Sequence, residues 1–266
     1  MKIYHFWHRE VVEVRIGGEP AKITAYGRSD VGVEEARSDA LERARRIERK
    51  IAGEPFPKEG YTADIREEIV QEIDAHNVVT RNRYGARVLN SESVIMIDID
   101  HHRPTLFQAL GFGKRDNKTA IIEDLGKVAA RPEYAALGFR IYETLMGVRL
   151  IVTGAYFDPA STQGQALFSL TNADRVFAKL CVKQQCYRAR LTPKPSRIKQ
   201  RKFSYRWPME PDELELAKAW VKEYEAASQD FATCKFVKAI GKEQLLLEII
   251  SLHDDETKAR SRLPLA

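Results

Sequence analysis

The sequence of 266 residues predicts an α+β fold. Segments with apolar residues at three- and four-residue spacing, typical of helices, are mixed along the chain with extended, β-branched segments. Several extended segments follow one another across short turns, as antiparallel hairpins do. With 44% apolar residues the chain can bury a sizeable core, and its length suits one large domain with smaller additions.

Residues 1–55 are predicted to form a hairpin followed by a helix. Residues 11–16 and 22–26 are extended segments around Gly17 and Gly18, which can take the positive φ of a tight turn. The helix has Ser29 or Asp30 as its cap and keeps apolar residues at helical spacing to residue 51. Residues 55–60 are then expected to be a short linker.

Residues 61–210 are predicted to be the catalytic-like core. The expected elements are a helix from residue 64, strands at 78–80, 86–89 and 94–100, a helix at 119–130, a hairpin of 139–143 with 148–153, a helix at 174–182 and a strand at 186–191. The order strand, helix, strand, strand, helix, strand is that of a ferredoxin-like split βαβ core with a mainly antiparallel sheet. Residues 211–266 add a helix at 212–227 and a hairpin of 231–240 with 244–251, packed on the core.

Basic residues are concentrated in one stretch. Residues 183–206 hold nine Lys and Arg and no Asp or Glu, whereas the rest of the chain has 34 basic and 38 acidic residues. The net charge of +5 is therefore a +9 stretch on a −4 remainder. Such a stretch indicates a phosphate-bearing partner, nucleic acid or a nucleoside triphosphate, although a solvated loop has the same composition. Its aromatic residues either stack on bases or pack the loop onto the core: Tyr187, Phe203 and Tyr205.

Several other classes of protein lack their sequence signals here. No stretch of about 18 uncharged apolar residues is present, so no membrane span is expected. Residues 1–10 do not have the pattern of a signal peptide, and three cysteines do not make a disulfide framework, which together favour the cytoplasm. The P-loop, dinucleotide-binding, HExxH and GxSxG motifs are also missing from the sequence.

The sharpest chemical signal is Asp98-Ile99-Asp100, at the end of an apolar, β-branched strand. Alternation puts both carboxylates on one face of that strand, where they repel each other. A divalent cation removes the conflict, so Asp98 and Asp100 predict a site for Mg²⁺ or Mn²⁺ that triphosphate oxygens and water complete. The alternative is a strand that simply ends at the surface in two aspartates.

The neighbouring residues leave alternatives open. One of His101 and His102 serves as a third ligand or phosphate contact, or both are ordinary loop histidines. Arg149 interrupts an apolar strand, and a buried arginine needs an anionic partner, which could be a ligand at the metal site. In the alternative, Arg149 forms a structural ion pair with a nearby carboxylate: Asp98, Asp100 or Glu143.

The basic stretch begins with a predicted phosphate clamp. Arg188 and Arg190 share one face of a strand and present two guanidinium groups together. Lys194 and Arg197 extend this row past two prolines that stiffen the backbone. The turn at residues 81–85 supplies two further candidates, although arginines in turns are usually solvated: Arg81 and Arg83.

These motifs resemble the archaeo-eukaryotic primase superfamily, which includes the primase-polymerases, in a divergent bacterial form. That family has an RRM-like core in which an apolar strand ends in Asp-x-Asp, here Asp98 and Asp100. Its later hairpin is similar to residues 146–149, where Arg149 stands in place of a histidine, and its basic strand is similar to residues 188–194. The resemblance covers about residues 78–197.

The resemblance implies a nucleotidyltransferase that uses Mg²⁺ or Mn²⁺, nucleoside triphosphates and nucleic acid. It implies catalytic roles for three residues: Asp98, Asp100 and Arg149. It also implies a third metal ligand, for which Asp254 is favoured over Asp158 because Asp254, next to His253, follows an apolar segment. Two other functions stay open: a metal-dependent nuclease, and a catalytically degenerate nucleic-acid-binding subunit with protein partners.

Overall fold

The computed structural model describes residues 1–16, 19–54, 63–100, 117–242 and 247–266. In these ranges ten strands and six α-helices follow in this order: β1 Phe6–Ile16, β2 Glu19–Ser29, α1 Val33–Ile51, β3 Glu68–Asp74, β4 Asn77–Arg81, β5 Arg87–Ser91, β6 Ile95–Asp100, α2 Asn117–Ala129, β7 Gly138–Thr144, β8 Gly147–Thr153, α3 Thr162–Leu170, α4 Arg175–Gln184, β9 Tyr187–Arg190, α5 Pro211–Ser228, β10 Cys234–Gly241 and α6 Glu248–Glu256. Neighbouring strands in the sheets are antiparallel, and the predicted α+β class is confirmed.

The hairpin of β1 and β2 carries α1 on one face, as the sequence predicts. The helix buries a row of small side chains against the hairpin: Ala36, Ala40 and Ala44. A Cβ at Gly27 would lie 2.2 Å from the Ala40 backbone nitrogen, so only glycine allows this close approach. The predicted turn at residues 17 and 18 and the predicted linker at 55–60 lie outside the described residues.

The central sheet has the strand order β10-β7-β8-β6. Helix α2 connects β6 to β7 and buries Ile121, Leu125 and Val128 in the same core as the sheet's apolar side chains. The order β7-β8-β6 with this crossover is that of the predicted split βαβ core. Its fourth strand, β9, lies beside β6 but forms its ladder with β5, in a second sheet of order β3-β4-β5-β9.

The opposite face of the central sheet is polar. Register places Asp98 on β6 directly across from Arg149 on β8, and Arg149 across from Tyr142 on β7. Helix α6 covers these side chains, since the His253 ring meets the Tyr142 ring at 5.0 Å between centroids. The two sheets therefore enclose charged residues at the place where β6 and β9 run side by side.

Helix α5 contacts the segment around Phe203 and the turn between β4 and β5 through the Trp220 ring. The Trp220 ring stacks on Tyr224 at 5.0 Å and on Phe203 at 5.4 Å between centroids. The Trp220 ring also lies where a Cβ on Gly85 would be, and Gly85 has a φ of 84°. The turn between β4 and β5 is thus fixed by the helix above it. No described helix combines the length and the apolarity that crossing a membrane requires.

Two predicted elements are wrong. The segment from Asp64 is not a helix but leads into β3, which pairs with β4. Ile69 and Ile73 are four residues apart, and this spacing puts side chains on one face of a strand as well as of a helix. The predicted strand at 244–251 is instead helix α6 from residue 248, because the continuous apolar run there has no period that separates the two structures.

One helix was not predicted. Helix α3 follows Ser161, whose side-chain oxygen accepts a hydrogen bond from the backbone N–H of Gly164 at 3.0 Å. A serine at the N-cap was therefore the available signal. Helix α4 agrees with the prediction and begins after Asp174, whose carboxylate caps it through the N–H of Phe177 at 2.7 Å.

Candidate functional site

Asp98 and Arg149 form a bidentate ion pair across β6 and β8. Arg149 Nε donates to Asp98 Oδ1 at 2.7 Å and Nη2 donates to Oδ2 at 3.0 Å. Arg149 is 1% exposed, whereas 33% of the Asp98 side chain remains exposed. Of the two predictions for Arg149, the structure thus shows the ion pair. Burial would lower the pKa of Arg149, but the charge of Asp98 outweighs it and raises that pKa.

Further hydrogen bonds immobilise the Arg149 guanidinium. Its Nη1 donates to the backbone oxygen of Arg190 at 2.9 Å and lies 3.3 Å from Nε2 of His253. His253 is fully buried, and its Nδ1 lies 3.2 Å from Asp254 Oδ1. Burial is the main cause that lowers the pKa of His253, and the positive charge of Arg149 lowers it further. The imidazole is therefore neutral at neutral pH. Arg149 therefore joins β6, β9 and α6.

Asp254 forms hydrogen bonds within this network. The sequence predicted Asp254 as a metal ligand together with Asp98 and Asp100, and its position in the structure corrects that prediction. Asp254 Oδ2 accepts a hydrogen bond from Arg140 Nη2 at 2.8 Å, and α6 holds its side chain nearly buried. Among the residues that the structure describes, no three His, Cys, Asp or Glu side chains are grouped to hold a metal ion. The reason is that Asp254 lies on α6 over β7, where it pairs with Arg140, and β8 with Arg149 separates β7 from β6.

Asp100 differs from Asp98 because it is exposed and has no ion pair with any described residue. It points to the same side of β6 as Asp98, two residues further along the strand. Partial desolvation, followed by the negative charges of Asp98 and Asp174, raises the pKa of Asp100. Lys194 and Arg197 are close enough to oppose that shift. Asp100 is therefore a carboxylate that a cation would stabilise.

We give the name cationic cluster to three basic residues near the two aspartates of β6: Arg190, Lys194 and Arg197. Arg190 ends β9, and Lys194 and Arg197 flank a single 3-10 turn that begins at Pro195. Within the described ranges no carboxylate lies at ion-pair distance from any of the three. Desolvation and the charge of Arg149 lower the pKa of Arg190 to about 10. Desolvation, with the neighbouring cations, also lowers the pKa of Lys194.

The other predicted phosphate contacts are placed differently. Arg188 is paired with Glu67 at 2.5 Å, so the expected clamp of Arg188 with Arg190 is reduced to Arg190 alone. Arg81 is buried, donating to Glu225 at 2.7 Å and to a backbone oxygen, because β4 ends under α5. Both guanidinium groups are thereby neutralised inside the protein. Arg83 is exposed on the β4–β5 turn, and His101 and His102 lie outside the described residues.

A cavity of about 880 Å³ lies next to the cationic cluster and shares Lys194 with it. It was not predicted as a site, although several of its residues belong to the basic stretch. Trp207, directly after that stretch, and Tyr84, beside Arg83, are aromatic lining residues that sequence reasoning missed. The alternation of aromatic and basic residues in the sequence is the feature that could have identified these two residues. No family model, no curated protein and no solved structure matches this chain.

Proposed function

We propose that this chain is a metal-dependent nucleotidyltransferase of the primase-polymerase type, which joins nucleoside triphosphates to nucleic acid. The observation that carries this proposal is the position of Asp100, which forms no ion pair with a described residue, next to the cationic cluster, which has no described counterion. Charged groups that a protein leaves unpaired and partly desolvated are candidates for ligand binding. A metal ion at Asp100 and a triphosphate at the cluster would satisfy both sets of charges.

The cationic cluster fits the triphosphate part of the substrate. Arg190, Lys194 and Arg197 present three cations from one short, proline-stiffened segment. Desolvation lowers the pKa of each, so each gains when an anion binds beside it. Guanidinium groups bind phosphate oxygens in pairs, and Lys194 adds a point charge. These side chains would neutralise the charge that builds up on the leaving pyrophosphate.

Asp98 and Asp100 fit a divalent cation that the substrate helps to ligate. Each Asp98 oxygen accepts one N–H from Arg149 and keeps lone pairs for another partner, and Asp100 has no ion pair with a described residue. Mg²⁺ is commonly bound through one or two carboxylates together with phosphate oxygens and water. A bound Mg²⁺ or Mn²⁺ would act as a Lewis acid on the phosphate. Arg149 would keep Asp98 in a single orientation.

The reaction would need no side-chain nucleophile. A 3′-hydroxyl attacks the α-phosphorus and loses its proton to water, the bond from that phosphorus to the bridging oxygen of the β-phosphate breaks, and pyrophosphate leaves. The protein's part is to position the reactants and to offset charge, which is sufficient for phosphoryl-transfer chemistry. This role agrees with a site made of two carboxylates and three cations and without an activated Cys, Ser or His among the described residues.

A second function is favoured by the Asp98–Arg149 ion pair. Arg149 already neutralises the charge of Asp98. At the described end of β6, only Asp100 is then without an ion pair to a described residue. A chain that binds nucleic acid through its basic residues and performs no catalysis would keep the same geometry. This second candidate is a nucleic-acid-binding subunit of a larger complex.

The two functions are separated by one set of reactions. The protein is incubated with Mn²⁺ or Mg²⁺, labelled nucleoside triphosphates and a primed single-stranded template. Extension that is lost in Asp100→Asn and retained in Asp124→Asn supports the transferase, since Asp124 is an exposed aspartate on α2 that pairs with Lys127. No product from the unmodified protein, with salt-dependent binding of the template, supports the binding subunit. Degradation of the template would point to a metal-dependent nuclease instead.

A further inference from the structure

The cavity of about 880 Å³ is lined mainly by three separate segments of the chain. The turn between β4 and β5 contributes Arg83 and Tyr84, and the segments at 194–196 and 202–207 contribute most of the remainder. Tyr26 on β2 and Arg66 complete the described lining from the side of the N-terminal hairpin. The cavity therefore lies between that hairpin and the loops that follow β9.

All charged residues in the described lining of the cavity are positive. Its described residues include five cations and no Asp or Glu: Arg66, Arg83, Lys194, Lys202 and Arg206. The Arg66 guanidinium lies over the Tyr26 ring at 3.4 Å from the centroid, which places it along the wall. Lys202 and Arg206 are exposed, on a segment that has no regular secondary structure. A lining of this kind attracts a polyanion along its length rather than a single acidic group.

The aromatic residues of the cavity fall into two groups. Phe203 stacks on Trp220, and the Tyr205 hydroxyl is hydrogen-bonded to Glu68, so these two rings belong to the packed floor. Tyr84 is 47% exposed, with the Arg83 guanidinium 4.8 Å from its ring centroid, and Trp207 is partly exposed; neither makes a ring-to-ring contact with a described residue. Exposed rings next to cations are the combination that binds the base faces and phosphates of an unpaired strand.

The cavity also continues into the site described above. Lys194 lies in its lining and in the cationic cluster, and it is close enough to Asp100 for the two charges to interact. A polymer bound in the cavity would thus pass directly to the carboxylates of β6. An acidic peptide would satisfy the cations but would leave Tyr84 and Trp207 without a stacking partner. A duplex keeps its base faces covered, so it would use the charges alone.

We propose that this cavity is a binding groove for single-stranded nucleic acid. Its bases stack on Tyr84 and Trp207, and its phosphates contact Lys202, Arg206 and Arg83. The inference rests on the proposed function for the direction of the strand towards Asp100, but strand binding can be measured without any catalysis. DNA and RNA share the chemistry used here, since stacking and phosphate contacts do not read the sugar.

The test is equilibrium binding of labelled oligothymidylate, oligouridylate and duplex DNA of equal length by fluorescence anisotropy. In Tyr84→Ala with Trp207→Ala, affinity for the single strands should fall roughly 10- to 100-fold, and weak duplex binding should not change. In Lys202→Gln with Arg206→Gln, the slope of log affinity against log salt should become about 1.4 smaller. Lys218→Gln with Lys222→Gln removes the same charge from exposed positions of α5 and should leave both quantities unchanged.

The outcomes separate this inference from the proposed function. Asp100→Asn should bind the single strands as tightly as the unmodified protein, because Asp100 is not part of the groove. If the unmodified protein makes no product while the groove variants still lose strand binding, the transferase proposal fails and the groove stands. Equal affinity for duplex and single strand, or an unchanged affinity in the aromatic variant with unaltered thermal unfolding, would overturn the groove.

Discussion

Arg188 and Arg190 are two residues apart on the same face of β9, yet they have opposite surroundings. Arg188 is paired with Glu67, whereas Arg190 has no carboxylate at ion-pair distance among the described residues. The same contrast separates Arg149 and Arg81, which are paired with Asp98 and Glu225, from Lys194 and Arg197. The protein supplies counterions to the cations that hold its sheets and helices together. It leaves uncompensated the cations that surround Asp100, and this difference is what an anionic ligand would use.

The largest expected effect comes from breaking the most buried of the paired cations. Arg149→Met should lower the free energy of unfolding by about 3 to 5 kcal/mol, because removing one partner leaves Asp98 without its counterion. Urea denaturation measures the change. Adding Asp98→Asn to Arg149→Met should recover part of the loss. A loss well under 1 kcal/mol for Arg149→Met would mean that the ion pair does not connect β6, β9 and α6 as described.

The next comparison uses the two neighbouring arginines of β9. Arg188→Ala should destabilise the fold by about 2 to 4 kcal/mol, since the largely buried Glu67 loses its partner. Arg190→Ala should change stability by less than about 1 kcal/mol, because no described carboxylate forms an ion pair with it. Thermal or urea unfolding of the two variants under one set of conditions measures the difference. Equal losses would show that Arg190 has a structural partner after all.

Binding should show the reverse order. Neutralising the cationic cluster in Arg190→Gln, Lys194→Gln and Arg197→Gln together should weaken binding of a nucleoside triphosphate roughly 10- to 100-fold, about 1.4 to 2.7 kcal/mol. Stability should stay constant or rise slightly, because mutual repulsion is removed. Calorimetric titration gives the affinity, and Lys218→Gln, Lys222→Gln and Lys238→Gln together, at exposed positions, are the charge-matched control. Undiminished affinity would remove the cluster from the proposed site.

The smallest predicted effect concerns pH and the buried network behind Arg149. The folded pKa of His253 is lowered from its ordinary 6.5, so the unfolded chain takes up the proton first as the pH falls. The contribution of His253 to the free energy of unfolding is fully present above pH 6.5. Below that pH it declines by at most about 1.4 kcal/mol per pH unit. Asp98, Asp254 and Arg149 surround the ring, but the two carboxylates have lowered pKa values and titrate at lower pH.

His253→Gln isolates this contribution. Its unfolding free energy should be flatter than that of the unmodified protein between pH 6.5 and 5, whatever its absolute stability. Parallel curves would show that His253 is not buried as a neutral imidazole. His5 serves as an internal contrast, since Asp30 raises its pKa and its contribution is lost as the pH rises rather than falls.

The fold was predictable where local pattern had one interpretation. Apolar, β-branched runs located β6 and β8, alternation located β9, the Gly-containing turns located the hairpins, and Asp174 marked the start of α4. The prediction failed where a pattern suits two structures, as for Ile69 and Ile73 in β3 or the apolar run before α6. In these segments the outcome depended on whether a partner strand was available, which local sequence does not contain.

Within the candidate site, the sequence by itself determined which charges are present and which face of each strand they occupy. It placed Asp98 and Asp100 together on one strand and put a +9 stretch across β9 and the loops that follow it. Only the tertiary structure decided which cations are neutralised. Arg188 finds Glu67 across 121 residues and Arg149 finds Asp98 across 51, so each pairing depends on how distant elements pack. An ion pair requires two charged groups to lie within a few ångströms of each other. The number of residues that separate them in the sequence does not determine whether they come that close.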